Sequence, residues 1–83
     1  MGFSVVAGTC TFTVGDGSGG PEEYLLRTDS AAACELYVKS NRPTANGATW
    51  GPTSKACYAE FGMTGANDNA SYQTCQFGLS DEG

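Results

Sequence analysis

The residues of this chain whose types could do chemistry are four cysteines, a lone tryptophan with its neighbours, and a few short acidic runs. Cys10, Cys34, Cys57 and Cys75 form an even set at wide spacing, which in a short chain reads as a disulfide framework. No Cys-x-x-Cys pair occurs and the chain has no histidine, so zinc ligation is a poor reading of the thiols. The missing histidine also removes the commonest general base, and cysteines committed to bridges are not nucleophiles. Glu22-Glu23 lies beside a glycine run, with nothing in the local sequence to bury it and shift a pKa. The chain is therefore expected not to be an enzyme, with no catalytic residue, no metal and no cofactor.

A ligand surface is the better use of the remaining groups. Trp50 is boxed in by Gly47, Gly51 and Pro52, and the following run CYAEFGM alternates Cys57, Ala59, Phe61 and Met63 against Tyr58 and Glu60. If the first set faces a core, period two sends Tyr58 and Glu60 to the opposite, solvated face, and Trp50 joins them if its strand is adjacent. As the largest apolar area available, a lone tryptophan is more often core than platform, and the open flanks of Trp50 are what keep the platform reading beside it. Aromatic rings beside carboxylates and amides suit sugars, whose C–H faces stack on rings while their hydroxyls need directed partners. The same surface suits a protein, because exposed Trp and Tyr are common hot spots. The candidate binding residues are Trp50, Tyr58, Glu60, Asn67 and Asp68, for a glycan or an extracellular protein.

The glycine run from Gly15 to Gly20 lacks the Lys-Ser/Thr ending of a P-loop and the spaced acids of an EF-hand, so a solvated loop is expected there. Asn67-Asp68-Asn69 carries oxygens that could hold calcium, but such clusters usually make turns. Ligand binding is accordingly expected to survive a chelator. Asn69-Ala70-Ser71 is a glycosylation sequon.

These groups must be positioned by one small domain, taken as residues 1–83, whose size alone gives a marginal core. The formal net charge is −5, with nine acids against four bases, and no basic cluster exists to neutralise phosphates. Nucleic acid and insertion into anionic membrane are set aside on that ground. No apolar stretch is long enough to span a bilayer and no leader pattern is visible, so Met1-Gly2 is expected to be a start added to a mature segment or an excised module. Disulfides persist in oxidising compartments, which implies a secreted or extracellular location.

Alternation predicts a first strand within residues 3–14, with Cys10, Phe12 and Val14 inward, and a second strand over 24–28. Thr28, Asp29 and Ser30 offer cap oxygens to a helix over AAACELYVKS that ends by about Asn41, before the Arg42-Pro43 pair. Ala33, Cys34, Tyr37 and Val38 share its inner face, with Glu35 and Lys39 paired on the other side. Asn46-Gly47 is a turn dipeptide that could open a hairpin into residues 48–50. Strands over 57–63 and 71–77 complete the set, the last with Cys75 and Phe77 inward. The expected fold is α+β, a small antiparallel sheet with one helix packed on it. Four cysteines allow three connectivities, and shared inward faces favour Cys10–Cys75 between terminal strands and Cys34–Cys57 between helix and central strand.

A cysteine in a terminal strand, the S-x-x-x-C stretch from Ser30 to Cys34 leading into one short helix, the GATW and CYAEF strands and a closing cysteine together resemble the PAN/apple modules of secreted and cell-surface proteins. The resemblance spans residues 3–77, with one helix cysteine where the family commonly shows two. It implies a bridge between the terminal strands, a second from helix to central strand, and a non-catalytic, lectin-like or adhesive binding role.

Overall fold

Ser30 opens the helix, as its cap position predicts. In a computed structural model that describes residues 10–77, the Ser30 hydroxyl accepts the Ala33 N–H at 3.1 Å, and α1 (Ala31–Asn41) follows. The helix closes with the Arg42 N–H donating to the Val38 carbonyl at 2.7 Å, one residue before Pro43. The Arg42 guanidinium then clasps both carboxylate oxygens of Glu23 at 2.8 and 2.9 Å, tying the end of the helix to a strand edge.

Among the described residues seven strands flank the helix: β1 (Thr13–Val14), β2 (Gly17–Ser18), β3 (Glu22–Arg27), β4 (Gly47–Trp50), β5 (Ala56–Glu60), β6 (Gly65–Ala66) and β7 (Gln73–Gln76). Five of them form an antiparallel sheet in the order β1-β7-β4-β5-β3, and β2 pairs with β6 as a separate two-stranded ribbon. The central strand β4 joins its neighbour β5 through residues 51–55, where the Lys55 N–H donates to the Gly51 carbonyl at 2.7 Å and Lys55 takes a positive φ of 68°. The expected first-strand residues 3–9 and the tail after residue 77 lie outside the described residues.

Register assigns the faces. Ala48 stands opposite Ala59 and Cys75, and Trp50 opposite Cys57. These residues point at α1, where Cys34 and Val38 meet them in one buried cluster. Both expected bridges are present, Cys10–Cys75 with Cα atoms 5.6 Å apart and Cys34–Cys57 with Cα atoms 5.4 Å apart. The α+β fold, the single helix on an antiparallel sheet and the pairing of the cysteines are thus as the residue pattern indicated.

Several local expectations are corrected. Val14 is 62 % exposed rather than inward, because β1 is a two-residue strand at the sheet margin. On the helix, Glu35 is buried while Tyr37 is exposed. The Glu35–Lys39 pair does form, at 2.8 Å, but the same Glu35 oxygen also accepts the Cys10 N–H at 3.1 Å, which draws the acid inward beneath the terminal strand. Asn46-Gly47 is no hairpin turn: Gly47 is a buried strand residue pressed against Met63 and the Cys75 carbonyl, and the Asn46 amide holds the Met63 backbone with two bonds of 3.0 Å.

Candidate functional site

The face of the sheet turned away from α1 carries two rows of side chains. Tyr24, Tyr58, Thr49, Thr74 and Thr13 align across β3, β5, β4, β7 and β1, and Glu22, Glu60, Gly47 and Gln76 form the next row. Period two places Tyr58 and Glu60 on this face, as read from the sequence, but solvation does not follow. Glu60 is 0 % exposed.

What covers it is the glycine run expected to be a solvated loop. The β2–β6 ribbon lies over the middle of the sheet, closed on itself by paired bonds of 2.9 Å between Asp16 and Asn67 and anchored by the Gly15 N–H to the Tyr72 carbonyl at 2.8 Å. Gly15 has φ 132°, a conformation that side chains rarely adopt. Gly17 rests directly on the Glu60 carboxylate, and a Cβ there would stand 2.5 Å from its carbon. The absence of a side chain is what lets the ribbon close over the acid.

Beneath the ribbon runs a chain of hydroxyls. Thr49 donates to Glu60 Oε2 at 2.6 Å, stands 2.8 Å from the Thr74 hydroxyl and accepts the Gly17 N–H at 3.3 Å, and Thr74 donates to the Gly15 carbonyl at 2.7 Å. Glu60 Oε1 is buried with no partner, and so is Asp16 Oδ1. Carboxylate oxygens of Asp16, Glu22 and Glu60 all lie within 4.8 Å of one another. Desolvation, together with the adjoining Glu60 carboxyl, pushes Glu22 from 4.5 up to about 7. Asp16 is also raised, by desolvation first and then by the charge of Glu22. A second cluster, Cys10, Glu35 and Cys75, has its sulfurs joined in a bridge and its carboxylate bonded to Lys39.

Next to the acids stand three rings. Tyr24 and Tyr58 meet edge to face with centroids 5.5 Å apart, and Tyr58 meets Tyr72 in the same manner at 6.1 Å. Tyr24 is 52 % exposed and the other two are half-buried. Burial, then the Tyr72 hydroxyl, and then the charges of Glu22 and Asp16, push the Tyr58 phenol up. The rings and the acids therefore share one electrostatic environment.

Of the five residues selected from sequence, the structure brings two, Tyr58 and Glu60, to this place, with Glu60 inside the sheet cover rather than on its surface. Of the two readings of Trp50 the structure shows the core one, which removes it from the binding residues: its strand is adjacent to Tyr58, but its register partner is Cys57, so it faces α1 at 8 % exposure. Its indole N–H donates to the Thr28 carbonyl at 3.1 Å and its ring lies under Lys55 Nζ. Asn67 is structural, its side-chain oxygen accepting from the Asp16 and Asn69 N–H groups, and Asp68 stays exposed in the same loop. Asn69, in the sequon, is exposed as well. Asp16, Glu22, Tyr24 and Tyr72 were not selected. The available signal was Glu60 itself, a lone acid inside the otherwise apolar CYAEF run, which demands a covering polar layer. A groove of about 330 Å³ also lies beside the ribbon, between Thr11, Thr13, Thr74 and Gln76 and the Met63 to Ala66 segment, and it contains no aromatic ring.

Comparison with protein-family models, with curated proteins and with solved structures found no match to this chain.

Proposed function

We propose that this domain is an extracellular recognition module of PAN/apple-like type that binds carbohydrate at the tyrosine row and the acids beside it. One observation carries the reading: the half-exposed Tyr24 ring continues through Tyr58 to Tyr72, next to the carboxylates of Glu22 and Asp16. A sugar's C–H face stacks on such a ring while its hydroxyls donate to carboxylate oxygens that other protein groups leave open. Trp50 drops out of the site, and Tyr24 and Tyr72 take its place. The two disulfides are compatible with an extracellular location.

A protein partner is the second reading, favoured by the position of Tyr24 on β3, a strand at the sheet edge. A glycan array probed with the oxidised domain separates the two. Binding to a defined glycan class is expected, with Tyr24→Ala and Tyr58→Ala each weakening it by about fivefold or more, the equivalent of about 1 kcal/mol. A blank array with folded domain, or ring variants that bind as the parent does, overturns the carbohydrate reading.

A further inference from the structure

The three carboxylates under and beside the β2–β6 ribbon have no basic partner among the described residues. Among the described residues the salt bridges join Lys39 to Glu35 and Arg42 to Glu23, and no lysine or arginine pairs with Asp16, Glu22 or Glu60. Like charges this close repel, and burying one of them without compensation is costly. A shared proton relieves part of the repulsion, but one proton satisfies one acceptor. Two buried oxygens on different residues, Glu60 Oε1 and Asp16 Oδ1, lack a partner. Glu60 cannot turn to water, because it is wholly buried under Gly17 and its other oxygen is held by Thr49.

A cation satisfies several oxygens at once. Calcium takes about six to eight oxygens at roughly 2.3–2.6 Å, so oxygens on opposite sides of one ion stand about 5 Å apart. The three carboxylate oxygens, all within 4.8 Å of one another, fit inside that span. All the donors are hard oxygens, and the exposed side of Glu22 leaves room for water to complete the shell. We propose that Asp16, Glu22 and Glu60 form a calcium site. The ion would pin the glycine ribbon to the sheet, with Glu60 as the buried anchor and Asp16 as the ligand that the ribbon itself brings. This goes beyond the carbohydrate reading and does not depend on it.

The probe is calcium alone, titrated calorimetrically into the oxidised domain after chelator treatment, at neutral pH. A dissociation constant on the order of 10⁻⁴ to 10⁻³ M is expected, the range of extracellular modules. Asp16→Asn and Glu60→Gln should each weaken binding at least about tenfold, as loss of a charged ligand implies. Glu23→Gln, an exposed acid on the same strand that pairs with Arg42, should leave the affinity unchanged. Saturating calcium should also raise the melting temperature of the parent. If Glu60→Gln does not fold, Asp16→Asn in the ribbon carries the same test. The proposal is overturned by the absence of both heat and thermal shift at millimolar calcium. Equal affinity in Asp16→Asn, or a loss in Glu23→Gln as large as in Asp16→Asn, would overturn it too, the latter by reducing binding to diffuse attraction.

Discussion

Toward the helix, β4 and β5 present Ala48, Trp50, Cys57 and Ala59, and these meet Cys34 and Val38 in a core closed by two disulfides. One residue out of step, the same strands present Thr49, Tyr58 and Glu60 to a thin glycine ribbon. Both faces are buried at their centres, but the apolar face needs only contact, whereas every polar atom on the other face needs a partner. Two atoms there have none. The helix side therefore stores the stability of the domain, and the ribbon side holds the polar atoms left without a partner.

The largest expected effect is on the helix side. Trp50→Ala should cost roughly 3–5 kcal/mol in chemical denaturation, as truncation of a buried aromatic does. A loss below about 1 kcal/mol would put the ring outside the core after all. Next comes the Cys34–Cys57 bridge, whose removal should cost about 3–4 kcal/mol by the chain-entropy model. A melting temperature indifferent to reductant would break the assignment of stability to this face. On the ribbon side, Thr49→Val keeps the shape but strips Glu60 Oε2 of its donor, with an expected loss of about 2 kcal/mol. Tyr24→Ala should cost only about 1 kcal/mol, its share of one edge-to-face contact, while weakening ligand binding.

The smallest effect is the one that distinguishes the faces by sign. Glu22 has a folded pKa of about 7 against an ordinary 4.5, so between those values the folded state of the calcium-free domain binds more protons than the unfolded chain. Its stability should fall as pH rises through that window and level off above it. Solvent screening at this exposed residue keeps the change small. Melting temperatures taken at both ends of the window should be higher at the acid end, and Glu22→Gln should flatten the difference. A rise with pH would mean that the carboxylates are compensated by charges not recognised here.

Legibility in the sequence followed the same division. The helix, its Ser30 cap and the inward parity of Cys57 and Ala59 are local patterns, and parity on both sides was enough to pair the cysteines. The face of Trp50 was not local, because it depends on the β4–β5 register set by the turn at residues 51–55. Neither was the burial of Glu60. Its cover is two-residue strands of glycine, serine and alanine, which carry no alternation to read and whose pairing partner lies far along the chain. Glu22 reaches Glu60 through the β3–β5 register and Asp16 reaches it through the ribbon, so no spacing rule for metal loops could have assembled the three.

The Cys10–Cys75 bridge places the two ends of the described chain side by side, with Cα atoms 5.6 Å apart across a sequence separation of 65. Tension applied at those ends passes from one to the other through a covalent bond and bypasses the sheet. Without the bridge, that length of chain could pay out to roughly 220 Å when fully extended. With it, the stretch from Cys10 to Cys75 keeps its length under load until the sulfur–sulfur bond is reduced.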